Sequence, residues 1–263
     1  MTNARWNCSM LVLAAIAAAL PAFGALKTEE VTYQHGETML KGYLAWDDAS
    51  KDLRPGVLVV HEWWGHNEHA RRSAEKLAEA GYIAFAVDMY GEGKTTDHPP
   101  TAGEWSQFIT QNPKIGQGRF DVAYQLLSEH RLTAPRQMAA IGYCFGGTTV
   151  LTLAQGGVDL DGVVSFHGGP PAYPPQKAIG PKILILHGYD DPLATRSSMI
   201  QYEKALSEVD ADWQATYYGG VAHSFTNPSA DGRGIPGLRY DADADWRSWN
   251  AMLLFLDELF SRR

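Results

Sequence analysis

The chain has 263 residues, 45% of them hydrophobic and 20% charged, with no low-complexity tract, which suits one sizeable globular core. Its net charge of −8 comes with no run of lysine and arginine. Nucleic acid is therefore excluded as the expected partner, because phosphate binding needs a basic face.

The first 24 residues read as a secretory signal peptide. Arg5 supplies a positive start, Leu11 to Leu20 an unbroken apolar run, and Ala22-Phe23-Gly24 a small-x-small cleavage site. The run falls short of the roughly 20 residues that a spanning helix needs. Cleavage after Gly24 and export, to the periplasm, are expected, with no membrane span afterwards. Cleavage would remove Cys8 and leave Cys144 as the sole cysteine of a monomeric domain over residues 25–263. A lone cysteine cannot form an internal disulfide, so Cys144 is either a buried inert thiol or one kept for reactivity.

Val31 to His35 and Met39 to Trp46 read as two antiparallel strands about a Gly36-Glu37 turn, followed by a polar loop ending at Pro55. Gly56 to His61 is a continuous apolar run, as in a strand covered on both faces. Arg71 to Ala80 has helical periodicity and stops at Gly81; Tyr82 to Val87 is a second buried strand, ending at Asp88. A loop rich in glycine, proline and threonine runs from Gly91 to Pro100, and helices are predicted at Glu104 to Gln111 and Gly118 to His130. A strand ending at Gly142 leads into a further helix, then come strands at Gly162 to Phe166 and Lys182 to Leu186. A helix at Arg196 to Val209, a strand at Trp213 to Tyr217 and a helix from Asp245 to Phe260 close the chain. Strands alternating with helices predict a mainly parallel sheet with helices on both faces.

In such sheets chemistry gathers at the carboxyl ends of the strands. Glu62, Asp88, Cys144, His167, Asp191 and His223 each follow a predicted strand directly or by a short loop. Among them Cys144 sits in Gly142-Tyr143-Cys144-Phe145-Gly146, a G-x-nucleophile-x-G pattern between a strand and a helix. There the nucleophile adopts strained backbone geometry, and the flanking glycines let strand and helix crowd together. The bland alternative is a glycine-rich turn around a structural cysteine.

A thiol needs a base or a depressed pKa to attack a carbonyl near neutral pH. The helix N-terminus favours the thiolate, and the usual base is a histidine held by a carboxylate. Asp191, in His187-Gly188-Tyr189-Asp190-Asp191-Pro192, and His223, in Gly220-Val221-Ala222-His223-Ser224-Phe225, follow Cys144 in the order nucleophile, acid, histidine used by α/β-hydrolases. Taken singly, Asp190 and Asp191 also fit the capping of a turn.

These segments, with His61-Glu62-Trp63-Trp64-Gly65 and Asp88-Met89-Tyr90-Gly91, resemble the dienelactone hydrolase family of α/β-hydrolases over about residues 31 to 261. The resemblance implies an α/β-hydrolase fold, a Cys144–His223–Asp191 triad and no metal or organic cofactor. It implies a carboxylic ester or lactone as the small-molecule substrate, cleaved through a Cys144 thioester. It also implies that Glu62 restrains the thiol until substrate displaces it, and that the backbone N–H groups of Phe145 and Trp63 form the oxyanion hole. One arginine that grips the substrate carboxylate in the family is replaced by Asn227, and none occurs between Arg72 and Arg119. A bidentate carboxylate grip needs that guanidinium. A preference for carboxylate-bearing substrates is therefore not expected, unless Arg119 or Lys94 supplies another cationic contact. Acyl transfer to an acceptor other than water, and a non-catalytic ligand-binding module retaining the fold, are the alternative functions.

Trp64, Tyr90 and Trp105, with Trp63, are candidate pocket walls, and His167 either lines the pocket or hydrogen-bonds within the sheet end. His61-Glu62-Trp63-Trp64-Gly65-His66 resembles a zinc protease motif, but its histidines are five apart where one helix face needs four. His66 and His69 are read as ordinary surface or loop residues. Gly91-Glu92-Gly93-Lys94-Thr95 resembles the end of a phosphate loop, yet Asp88 stands where its opening glycine belongs. Asp241, Asp243 and Asp245 alternate as in a calcium loop, but Trp246 and Met252 occupy the glycine and glutamate positions. These aspartates are assigned to the N-terminus of the last helix.

Overall fold

The computed structural model describes residues 25–261. Eight strands form one sheet: β1 (Leu26–His35), β2 (Thr38–Asp47), β3 (Arg54–Val60), β4 (Ile83–Val87), β5 (Thr133–Tyr143), β6 (Gly162–Phe166), β7 (Lys182–Gly188) and β8 (Trp213–Tyr218). Their spatial order is β1-β2-β4-β3-β5-β6-β7-β8. β1 pairs antiparallel with β2, and β2 with β4; every later pairing is parallel. The helices are α1 (Glu68–Glu79), α2 (Pro99–Gln111), α3 (Pro113–Ser128), α4 (Phe145–Gly156), α5 (Arg196–Glu208) and α6 (Ala242–Ser261). Among the described residues, no helix is long and apolar enough to cross a membrane.

Alternation along the central strands builds a core on each face, because successive strand side chains point to opposite sides. Leu58 and Val60 of β3, with Ile83, Phe85 and Val87 of β4, pack against Phe120, Ala123 and Leu127 of α3. Val57 and Val59, with Ala84 and Ala86, pack on the other face against Ala74, Leu77 and Ala78 of α1, in the cluster that also takes in Met252 and Leu256 of α6. Burial on both faces explains why these strands read as unbroken apolar runs. The expected mainly parallel sheet with helices on both faces is therefore present.

The elements differ from expectation chiefly at their starts. β1 begins at Leu26, earlier than expected, because it is an edge strand on which only Tyr33 is fully buried, so its sequence carries little alternation. α2 begins at Pro99, inside the stretch read as loop. Proline fits the first helical turn, where its missing N–H costs nothing. α3 begins at Pro113 in the same way. α6 starts at Ala242, where Asp241 Oδ1 accepts the N–H of Ala244 at 2.9 Å, the helix-start role assigned to this aspartate cluster.

Candidate active site

Cys144 joins β5 to α4 with φ 53° and ψ −113°, a conformation that is costly for a side chain with a Cβ. The turn closes only because its glycines carry no side chain. A Cβ on Gly142 would lie 2.1 Å from the Gly146 carbonyl oxygen, and one on Gly146 would lie 2.2 Å from that of Val60. The backbone N–H of Cys144 is held from below: it donates to the carbonyl of Phe166 at 3.0 Å and to Nδ1 of His167 at 3.1 Å.

Asp191 follows β7 and is buried. Its Oδ1 accepts the N–H groups of Leu193 and Ala194 at 2.8 and 2.9 Å, while Oδ2 lies 2.6 Å from Nδ1 of His223. The turn-capping role and the histidine-orienting role thus coexist, one on each oxygen. Burial would raise the Asp191 pKa, but the hydrogen bond and charge of His223, with the Ala194 N–H, outweigh it and hold the carboxyl below its ordinary value.

His223 is reached through the loop after β8. With Nδ1 committed to Asp191, the imidazole has only Nε2 to offer, and that atom is buried without a hydrogen-bond partner of good geometry. Burial alone would depress the His223 pKa. The negative charge of Cys144, followed by the Asp191 hydrogen bond, reverses this and pushes it up to about 10. His223 and Cys144 are thus electrostatically coupled. Cys144 and His223 line the same cavity, about 780 Å³ including its open mouth, together with Trp63, Phe145, Thr148 and Leu238.

Glu62, buried just past β3, has both oxygens engaged by the loop that carries His223. Ser224 Oγ donates to Oε1 at 2.9 Å, and Asn227 Nδ2 donates to Oε2. Neither oxygen is paired with the thiol among the described residues. Ser224 adopts φ 55°, which is strained for a non-glycine residue. The sequence does not mark Ser224 and Asn227 as Glu62 partners. They lie 162 and 165 positions away, and no local pattern marks such a contact.

His167 does not line the pocket: it is fully buried. Its Nδ1 accepts the Cys144 N–H, so Nε2 carries the proton and donates to Thr226 Oγ1 at 2.8 Å. Burial first, then the neighbouring charge of His223, holds its pKa well below the ordinary value and keeps it neutral. The ring packs edge-on against His223 with centroids 5.2 Å apart.

Trp64 is also not a pocket wall. It is 1% exposed, packed with Ala102, Ala230 and Leu238, and capped by the Arg233 guanidinium 4.2 Å from its ring. Tyr90 and Trp105 line a neighbouring cavity with Lys94 and Arg119 rather than the one holding Cys144. Tyr90 still braces the site, because its hydroxyl donates to the Trp63 carbonyl at 3.2 Å. Burial and then the Cys144 charge push its phenol well above the usual range, which keeps it neutral.

His66 lies in a loop, as expected, but is not on the surface, and His69 lies in α1. His66 is buried with Nε2 3.0 Å from the Ala86 carbonyl, and His69 Nε2 lies 3.1 Å from the Thr226 carbonyl. Asp88 is the anion of its own loop: its carboxylate accepts the N–H groups of Lys41, Tyr90, Gly91 and Gly93 at 2.7–3.0 Å. The glycine turn that resembles a phosphate cradle is thus filled by a protein carboxylate. Arg119 is committed to the Met89 carbonyl at 2.6 Å and, more loosely, to Thr38.

Comparison with known proteins bears on this geometry. A candidate carboxymethylenebutenolidase of Aquifex aeolicus is 28% identical over 203 residues, spanning 75% of this chain and 86% of that protein. The solved structure of a dienelactone hydrolase-like promiscuous phosphotriesterase from metagenomic libraries is 36% identical, with TM-score 0.83, over 90% of this chain and 99% of that one. The structure of m3DLH is 37% identical, with TM-score 0.86, over 90% and 100%. The fold is that of α/β-hydrolases. With the model of the dienelactone hydrolase family matched over residues 40–260, the chain belongs to that family.

Proposed function

We propose that the protein is an exported, monomeric hydrolase that cleaves a carboxylic ester or lactone through a thioester at Cys144. The observation that carries this reading is the junction of three facts. Cys144 occupies a strained elbow, it shares a cavity with His223, and His223 is fixed by Asp191 at 2.6 Å.

The thiolate sulfur attacks the ester carbonyl carbon, and the oxygen becomes an oxyanion held by the backbone N–H groups of Phe145 and Trp63. The first N–H groups of a helix have no partner within the helix, which suits Phe145 to this role. Each such donor lowers the barrier by about 3–4 kcal/mol. The intermediate collapses as the alkoxide leaves, taking the proton from Nε2 of His223. Water then attacks the thioester while the now neutral Nε2 takes its proton. Collapse releases the carboxylic acid and restores the thiolate–imidazolium pair. Asp191 keeps Nδ1 protonated and Nε2 aimed at the reaction. Glu62, tied to Ser224 and Asn227, clamps the loop bearing Trp63 to the loop bearing His223.

Replacing Cys144 by alanine should abolish turnover of small activated esters while leaving the unfolding midpoint within a few degrees of wild type. Undiminished turnover would overturn the assignment. Export is tested by the N-terminal sequence of the protein recovered outside the cytoplasm, which should begin after Gly24.

Aryl phosphotriesters form a second substrate class, supported by the 36% identity with a promiscuous phosphotriesterase. The same thiolate would attack phosphorus and expel an aryloxide protonated by His223. Repeated turnover of an aryl phosphotriester that is lost in Cys144→Ala supports this. Its absence restricts the site to carbon esters.

A further inference from the structure

Beside the cavity of Cys144 lies another, enclosing about 730 Å³ including its open mouth. It is lined by Ile109 and Pro113 at the α2–α3 junction, Leu153 of α4 and Tyr173. It shares Thr110, Phe145 and Thr148 with the Cys144 cavity, so the two meet at the first turn of α4, directly beside the thiol.

No residue lining it carries a charge. Its threonines are also less polar than they look. Thr148 Oγ1 donates to the Gly169 carbonyl at 2.9 Å, Thr149 Oγ1 to that of Phe145 at 2.8 Å, and Thr152 Oγ1 to that of Thr148 at 2.8 Å. Each hydroxyl proton is spent on the main chain, so none is left to donate to an occupant. The cavity with Lys94 and Arg119 contrasts with this one: it carries charges of both signs, with Glu37 and Glu92 beside them, and does not include Cys144.

We propose that this apolar groove receives an uncharged hydrocarbon or aryl arm of the ester whose carbonyl sits at Cys144. The assignment rests on the reading of Cys144 as nucleophile. It makes the enzyme selective for substrates with a medium-length arm over those with a short one. Arm length matters because each methylene removed from water raises transition-state affinity, by up to roughly fourfold. The gain ends where the groove ends.

The test compares kcat/KM along two series: p-nitrophenyl esters from acetate to octanoate, and acetates of alcohols from ethanol to hexanol. It is run in wild type, Thr149→Phe and Thr152→Trp. The readout is the ratio of long to short substrate within one preparation, so loss of active protein cancels. Thr152 is exposed, which gives a variant that folds if Thr149→Phe does not. We expect a ratio of at least about tenfold in wild type that falls to within about threefold of unity in the variants. A rise in the first series places the acyl arm in the groove; a rise in the second places the alcohol arm there. Flat ratios in both, with acetate turnover still lost in Cys144→Ala, would overturn the groove and leave the nucleophile standing. A length preference that neither variant alters would also overturn it. No ester turnover at all would remove both assignments together.

Discussion

Nδ1 of His223 and Oδ2 of Asp191, 32 residues apart in sequence, meet at 2.6 Å in a buried pair whose other side is turned to Cys144. Asp191→Asn would keep the shape, and its side-chain oxygen could still accept from Leu193 and Ala194. It would remove the charge that fixes the histidine tautomer. We predict a fall in kcat of roughly 10²–10⁴-fold with little change in KM, read by steady-state kinetics on an activated ester.

The pair also sets a pH dependence. His223 has a folded pKa raised from 6.5 to about 10, so its contribution to stability is complete below 6.5 and is lost as pH rises through about 10. Asp191 has a lowered pKa, so its contribution is present above the ordinary carboxylate range and disappears as pH falls through the lower folded value. Denaturant midpoints measured across pH should show a plateau between the carboxylate range and about pH 6.5, then a decline that continues to about pH 10. The alkaline decline should be absent in His223→Gln.

Glu62 and Asn227 are predicted to act as one unit. Asn227→Asp would set two carboxylates against each other in a buried place, whereas Glu62→Gln would turn an amide toward the amide of Asn227. Either should cost roughly 1–3 kcal/mol in chemical denaturation and lower kcat, because the Trp63 and His223 loops lose their shared anchor. The double variant Glu62→Gln/Asn227→Asp restores a donor–acceptor pair and should recover part of the stability.

His167 supports the elbow through the Cys144 N–H. His167→Phe fills the volume but removes the acceptor and leaves the Thr226 hydroxyl without its ring partner. A stability loss of roughly 1–3 kcal/mol is expected, with kcat reduced and KM kept.

Substrates with and without a free carboxylate should be turned over with similar kcat/KM. Asn227 stands where the family places an arginine and is engaged by Glu62, while Arg119 is held by the Met89 carbonyl. A panel of matched esters checks this. A carboxylate preference of about tenfold or more would require a cationic contact, with Lys94 the first candidate to replace.

What was legible in the sequence was whatever is encoded locally. The Gly142-x-Cys144-x-Gly146 spacing reports the crowding of β5 against α4, since a Cβ at either glycine would strike a backbone carbonyl. The apolar runs of β3 and β4 report burial on both faces. What stayed hidden depends on distant partners. The hydrogen bonds of Ser224 and Asn227 to Glu62 span more than 160 positions. Trp64 is an aromatic residue beside the site whose burial is decided by Ala230, Arg233 and Leu238, far along the chain. Gly118 reads as a helix start, yet it lies inside α3, where a Cβ would meet the His35 ring at 2.1 Å.

The central claim is that Cys144 carries the acyl group between the two halves of the reaction. Its most direct test is intact-mass and peptide-mapping spectrometry of the enzyme quenched with acid during turnover of an activated ester. The expected result is a mass increase equal to one acyl group, located on the peptide containing Cys144 and absent in Cys144→Ala. An acyl group on any other residue, or unimpaired turnover by the alanine variant, would contradict the account.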